Sequence, residues 1–438
     1  MKRKVSGIIL LLCINAVSFS QRVLTVEEAI ATTLQNNYDI LLLRNDSTLF
    51  QLRNSYAYAA FLPRLNGNSA VLYNVNSSRQ ELADGTKREQ DNLRSRNLSA
   101  SLNLNWTIFD GFKMFATRDK LEEFVKLGNL NIKNQVVNSV ALVINTYYNI
   151  VSQKQQLKAI EEQMQLNEER ITQAEKKLSV GLGAKPELLQ ARVDLNAQKA
   201  DRLSQLTLIE QLKEDLNREM AIAPGTSYDV TDSIPIDKTL TVTDIFSGAE
   251  KNNPAILAAD KQIDIARLTL KERKAERFPV LGVNAAYNFT RNINKAVINP
   301  FKTLFNQNQG FNYGLTATIP IFNNFTVKRQ IREAEIDIDY RQILLDYEKL
   351  KVNSAITSAY KAYEWQKQNL ALQEENIGYA KENLFIATER YRLGLSTILE
   401  LRESQRSLSE AYTRLISARL NTKLSETELM RLRGDLVR

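Results

Sequence analysis

The stretch Leu98-Ser99-Ala100-Ser101-Leu102-Asn103-Leu104-Asn105-Trp106-Thr107-Ile108 places an apolar side chain at every even position and Ser, Asn or Thr at every odd one, with no charge anywhere. Such period-two alternation predicts a β-strand with two chemically different faces. Three further segments alternate in the same way: Leu65, Gly67, Ser69, Val71, Tyr73 and Val75; Leu281, Val283, Ala285, Tyr287 and Phe289; and Phe311, Tyr313, Leu315, Ala317, Ile319 and Ile321. Their other faces are mostly Asn, Thr and Gly. A half-buried soluble sheet alternates like this too. Length favours a membrane, because about eleven residues at about 3.3 Å each, tilted by about 40°, span roughly 25 to 30 Å, the height of an outer-membrane barrel wall. Trp106, Phe109, Tyr287, Phe289 and Phe311 near the strand ends read as membrane-girdle aromatics. Lipid leaves no backbone group unpaired, so strands facing it must close into a barrel, and closure takes about eight strands. Four strands per chain then require several copies around one barrel. The polar stretches Ser77 to Ser95 and Arg291 to Gly310 read as exposed loops facing the cell exterior.

Outward from the strands the chain repeats itself. Leu24-Thr25-Val26, Asn36-Asn37, Ile40-Leu41 and Pro63 recur 216 positions later as Leu240-Thr241-Val242, Asn252-Asn253, Ile256-Leu257 and Pro279. At an offset of 213, Ile108-Phe109-Asp110-Gly111 matches Ile321-Phe322-Asn323-Asn324, and Gly181 and Glu187 match Gly394 and Glu400. The chain reads as an internal duplication: 21–222 the first repeat, 223–238 a linker carrying Pro224-Gly225 and Pro235, and 239–438 the second repeat. Each repeat runs helix, strand, loop, strand, long helix, glycine turn, helix.

The long helices have no place in a compact globule. From Phe112 to Leu178 there is no proline and one internal glycine, Gly128, while Val137, Ile144 and Val151 recur at heptad spacing. About 65 residues at 1.5 Å each make a rod of roughly 100 Å. Thr326 to Tyr391 repeats the pattern through Ile331, Ile338, Leu345, Val352 and Ala359. In the last helix Leu401, Leu408, Leu415, Thr422 and Leu429 alternate with Ser404, Ala411, Ala418 and Ser425, a large-and-small seam suited to close coiled-coil packing.

Composition narrows the function. Lys2, Arg3 and Lys4, the apolar core Ile8 to Val17 and Ser18-Phe19-Ser20 form a secretory signal over 1–20. Its cleavage removes Cys13, the sole cysteine, and reduces the net charge from +8 to +5. With no cysteine and no histidine, thiol nucleophiles, thiolate metal sites and the commonest neutral-pH base are gone, so neither an enzyme nor a cofactor or metal site is predicted. Basic residues interleave with acidic ones, as in Glu168-Glu169-Arg170, so no nucleic-acid partner is expected. No apolar run after the signal is long enough for a transmembrane helix. A secreted coiled-coil scaffold or adhesin, its strand pairs serving as surface hairpins, is the rival reading.

The order of elements, the opening Leu24-Thr25-Val26-Glu27-Glu28-Ala29-Ile30, the strand entry Ala59-Ala60-Phe61-Leu62-Pro63 and the turns at Gly181 and Gly394 resemble the TolC family of outer-membrane efflux proteins over essentially the whole mature chain. The resemblance implies a mainly α fold: a long coiled-coil helical tunnel with four strands per chain contributing to a trimeric twelve-strand β-barrel. It implies a passive exit duct of a tripartite efflux or type I secretion system, in the outer membrane and extending into the periplasm. Its partners would be two further copies, outer-membrane lipid, a periplasmic adaptor and, through the adaptor, an inner-membrane pump. The resemblance spans exporters of drugs, metals and proteins alike. By the same resemblance Val180-Gly181-Leu182 and Leu393-Gly394-Leu395 are adaptor-contact tips, and Glu187, Tyr391, Glu400 and Glu403 line a periplasmic gate. The sequence departs from the family's gate at Ser396, where an arginine links neighbouring chains, and at Pro186, which leaves helix packing and Tyr391 contacts to hold the closed state.

Overall fold

The computed structural model describes residues 23–181, 183–298 and 301–436. The signal expected over 1–20 and the tip residue Leu182 lie outside them. The elements run β1 (Val23–Leu24), α1 (Val26–Asn36), α2 (Tyr38–Ser55), β2 (Arg64–Glu81), β3 (Lys87–Phe109), α3 (Lys113–Ser179), α4 (Lys185–Met220), β4 (Asp229–Val230), α5 (Val242–Asn252), α6 (Pro254–Ala275), β5 (Val280–Asn294), β6 (Phe305–Thr318), α7 (Thr326–Arg392) and α8 (Ile398–Arg433). The duplication is carried into three dimensions. α1 and α5 have 11 residues each, α3 and α7 have 67, and α4 and α8 have 36. The chain divides into two compact units that each draw on both halves: one from Met1–Leu42, Lys133–Asn253 and Lys351–Arg438, the other from Leu43–Ile132 and Pro254–Leu350.

The second unit holds the sheet. Its four strands are antiparallel in the order β2-β3-β5-β6, so β2 and β6 are open edges. Paired residues on antiparallel strands share a face, and the register lines up the alternations. Leu65, Leu104, Ala285 and Tyr313 form one cross-strand row, and Gly67, Leu102, Tyr287 and Phe311 the next. Asn66, Asn103, Ala286 and Asn312 lie on the reverse side. The apolar face is bare: Leu315 is 84% exposed and Tyr313 80%. A continuous exposed apolar patch of this kind is unusual for a chain alone in water and marks a surface that gains by being covered.

Two expectations about the strands are corrected. The residues read as loops over 77–95 and 291–310 are mostly strand, and the connecting turns shrink to 82–86 and 295–304. Beyond the pair of Asn76 and Leu93 both faces of the first hairpin are polar, so the periodic signal vanishes although the ladder continues, held by Arg79 paired with Glu89 and Glu81 with Lys87. Gly85 closes that turn at φ +78°, with Asp84 accepting from the Thr86 amide at 3.0 Å. A register shift between Thr107 and Phe109 also sets the odd-numbered Phe109 opposite Leu281 on the apolar face.

At the strand-to-helix corner Gly111 has φ +74°, and a Cβ there would meet the Ala275 carbonyl oxygen at 2.4 Å. Only glycine fits both demands. Asp110 then caps α3 through the Met114 amide at 3.0 Å. Gly128 lets α2 come close, since a Cβ there would stand 3.0 Å from the Phe50 ring.

In the first unit, the repeated asparagines account for their own recurrence. Asn37 breaks α1 from α2, its Oδ1 accepting from the Ile40 amide at 3.3 Å and its Nδ2 donating to the Glu219 carbonyl at 2.9 Å. Asn253 separates α5 from α6 and donates to the Leu432 carbonyl at 2.8 Å. Each side chain joins a helix break to the end of a returning helix. The segment over 223–238 is strapped to the long helices by two fully buried tyrosines: Tyr147 donates to the Leu24 carbonyl at 2.8 Å and accepts from the Thr231 amide, and Tyr363 donates to the Asp237 carbonyl at 2.7 Å. β4 within that segment pairs in parallel with β1. Leu401, Ser404, Leu408, Ala411, Leu415, Ala418, Thr422 and Leu429 of α8 are buried, as the large-and-small seam requires, while Ser425 is half-buried.

Candidate functional site

Each long helix reverses through a glycine turn. Gly181 and Gly394 have φ +76° and +73°, left-handed conformations that close the helix C-terminus. The Gly394 amide donates to the Tyr391 carbonyl at 3.1 Å and the Leu395 amide to the Arg390 carbonyl at 2.8 Å; in the first turn the Gly181 amide donates to the Leu178 carbonyl at 3.1 Å. Val180, Leu393 and Leu395 project into solvent. Gly183 was not singled out from the sequence, yet a Cβ on it would sit 2.7 Å from the Leu178 amide nitrogen. Its signal was the doubled glycine of Gly181-Leu182-Gly183.

The proposed gate residues separate into two groups. Glu187 at the start of α4 accepts a hydrogen bond from the hydroxyl of Tyr391 at the end of α7, so the two helical hairpins are tied across 204 positions of sequence. Tyr391 is only 5% exposed, packed with Ala387, Leu401 and Leu408, and Lys177 lies 4.1 Å from its ring centroid. Burial, followed by the hydrogen bond and charge of Glu187, holds the phenol well above its ordinary value. Glu400, the counterpart of Glu187, turns elsewhere. Its amide, at the third helical position, donates to Thr397 Oγ1 at 3.3 Å, and its carboxylate stands exposed 3.9 Å from Arg390. Glu403 is exposed on the next turn. The asymmetry is local: Ala184, at the N-cap of α4, offers no side-chain cap and Pro186 sits in the first turn, so Glu187 is free to reach Tyr391. Ser396 keeps its hydroxyl oxygen buried without a partner.

A second tie, invisible to pattern reading, lies farther along the same hairpins. Arg170 of α3, its side chain 4% exposed, pairs with Asp194 of α4 and donates to Gln405 of α8 at 3.1 Å; Arg402 of α8 reaches the same Asp194 at 3.3 Å. Burial pushes the Asp194 carboxyl up, but hydrogen bonds from Arg170 and Gln190 with the charges of Arg170 and Arg402 outweigh it and leave it below the usual carboxylate value. The residues are far apart in sequence and each sits in an unremarkable polar run, so only the fold assembles them. A cavity of about 270 Å³ adjoins them.

On the sheet, Trp106 donates its indole N–H to the Phe61 carbonyl at 2.8 Å, and Phe109 packs edge-on to Phe112 at 5.2 Å, both at the helix-proximal end. Tyr287 and Phe311 share one row and Phe289 lies one row farther from the helices, next to Gln309, where the apolar face gives way to polar residues. Among the described residues no helix is long and apolar enough to cross a membrane.

An amphipathic sheet with open edges, joined to coiled-coil hairpins that carry polar ties near their tips, defines a subunit of a channel that enters a membrane through strands. The model of the outer membrane efflux protein family matches residues 29–218 and 245–435, and the chain belongs to that family. The chain is 21% identical to the outer membrane efflux protein BepC of Brucella suis biovar 1 (strain 1330), over 96% of this chain and 89% of that one. It is also 21% identical to outer membrane protein TolC of Escherichia coli (strain K12), over 80% and 72%. Its fold matches the crystal structure of the outer membrane protein VceC from Vibrio cholerae with a TM-score of 0.73 at 16% identity, covering 93% of this chain and 96% of that one. The protein is an outer-membrane efflux channel with a helical periplasmic part, working with an adaptor and an inner-membrane pump, and it is not an enzyme. The rival of a secreted scaffold is set aside: the strand pairs are one continuous sheet rather than separate hairpins, and the relatives are efflux channels.

Proposed function

We propose that three copies of the chain close one barrel, the β2 edge of each pairing with the β6 edge of the next, and that the polar Asn, Ser and Thr face lines the lumen while the apolar face meets lipid. The single observation that carries this reading is the four-stranded sheet with segregated faces and two unpaired edges. An open edge in lipid leaves a row of unpaired backbone groups costing several kcal/mol each, and closure removes it. Three chains give twelve strands, within the known range of such barrels.

Within each protomer the tie from Tyr391 to Glu187 and the cluster of Arg170, Asp194 and Arg402 hold the periplasmic entrance closed. Glu400 and Glu403, exposed near the tips, contribute negative charge at the mouth. Val180, Gly181, Leu393, Gly394 and Leu395 form the surface offered to the adaptor, an apolar tip that gains by being covered. The test is outer-membrane fractionation followed by native mass spectrometry of the detergent-extracted protein. A trimer from the outer-membrane fraction supports the shared barrel, and a water-soluble monomer or dimer overturns it.

A further inference from the structure

The lipid-facing side of the sheet is not apolar along its whole length. Beyond the row of Ala100, Phe289 and Gln309 come three rows with a different chemistry: Val71, Leu98, Arg291 and Gln307; Tyr73, Arg96, Ile293 and Phe305; and Val75 with Arg94. Lys295 follows opposite Arg94, its amide donating to the Arg94 carbonyl at 2.9 Å. Arg94, Arg96, Arg291 and Lys295 are all exposed, and no carboxylate occupies these rows. Among the described residues Arg291 has a neutral polar side-chain partner: it donates to Gln307 from Nε at 3.1 Å and from Nη2 at 2.9 Å.

Three features argue against a scatter of surface charge. The helix-proximal margin of the same face, made of Trp106, Val283, Leu315, Phe109, Leu281 and Ala317, carries no cation. The lumenal face at the level of the arginines is neutral, with Asn74, Asn97, Asn292 and Asn306. The guanidinium groups are also held over rings, Arg96 5.5 Å from the Tyr73 centroid and Arg291 5.7 Å from that of Phe305, which limits their freedom before any ligand arrives. Height agrees as well: ten residues from Leu281 to Arg291, at about 3.3 Å each and tilted by about 40°, rise about 25 Å, so the arginines stand where hydrocarbon ends. β3 and β5 are inner strands of the sheet, so a neighbouring copy joined at either edge leaves this patch open to lipid.

We propose that Arg94, Arg96 and Arg291, with Lys295, form a binding site for the phosphate groups of an anionic glycolipid in the outer leaflet of the outer membrane. Guanidinium forks grip phosphate oxygens in pairs, and cations at the edge of the hydrocarbon are satisfied at that depth by anionic headgroups. The site rests on the lipid-facing assignment of the apolar sheet face. The test uses the full-length protein in detergent, with native mass spectrometry against diphosphorylated lipid A and against the same lipid with its phosphates removed. The wild type is expected to retain the phosphorylated form about tenfold better, and R94Q/R96Q/R291Q to lose that preference. Equal retention of both lipids by the wild type overturns the site, as does an unchanged preference in the triple variant. R96Q alone supplies the comparison should the triple variant not assemble. The same spectra count subunits: a trimer indifferent to phosphate removes the site and leaves the barrel standing, whereas a monomer removes both.

Discussion

Tyr391→Phe removes one oxygen from the tie between the hairpins and almost nothing else. The ring keeps its packing against Ala387, Leu401 and Leu408 and its cation contact with Lys177. What is lost is a hydroxyl donating to the Glu187 carboxylate, and hydrogen bonds to charged groups contribute about 1.5–3 kcal/mol. Glu187 is half-buried, so water recovers part of that, leaving about 1–2 kcal/mol per protomer. The equilibrium between tied and untied hairpins should shift about 5- to 30-fold. The assay is single-channel recording in planar bilayers, with open probability as the readout. Glu400→Gln is the internal control, because the capping bond of Glu400 uses its backbone N–H and its carboxylate is solvated; it should change open probability by less than about threefold. If Glu400→Gln opens the channel and Tyr391→Phe does not, the assignment of the tie is wrong. Alkali offers a second approach: the neutral phenol is the donor and its pKa is raised above the ordinary value near 10, so the tie is fully present below pH 10 and is lost as pH rises through the raised value.

Asp194→Asn leaves the Arg170 charge buried against a neutral partner and should cost about 3 kcal/mol, seen as faster amide exchange in α3 and α4 near the pair. Because the Asp194 carboxyl is held below its usual value, that contribution is present above about pH 4 and disappears as pH falls through the lowered value, so protection in wild-type protein should fall there too. Gly183→Ala pushes a Cβ to 2.7 Å from the Leu178 amide nitrogen and should destabilise the first hairpin turn by about 1–3 kcal/mol, measurable as increased proteolysis at the tip. Asn37→Ala removes a helix cap and the bond to the Glu219 carbonyl, and should cost about 1–2 kcal/mol of stability, seen as a lowered thermal midpoint of the extracted protein.

The alternation over 98–108 specified the sheet because each face of those strands meets one environment throughout, and the heptads specified α3 and α7 because nothing in either helix interrupts them. Pattern failed where both faces meet the same medium. The outer half of the first hairpin, from Asn76 to Asp91, is wet on both sides, so its ladder left no period to read. At the tips, the repeat made Glu187 and Glu400 look equivalent, and only the cap supplied by Thr397 and missing at Ala184 separates them. The cluster around Arg170 draws Arg170 from α3, Asp194 from α4 and both Arg402 and Gln405 from α8, a juxtaposition that no local window contains.

The unlike surroundings of Glu187 and Glu400 bear on how such a duct can evolve. In a ring of six identical short chains, any substitution at a tip would strike all six positions at once, and a change that helped one contact would be imposed on every other. Fusing two copies into one chain frees the halves from each other: a mutation in α4 touches every second hairpin and spares the rest. One set can then be tuned to hold the entrance shut while the other drifts toward a new partner, without either losing the matched helix lengths.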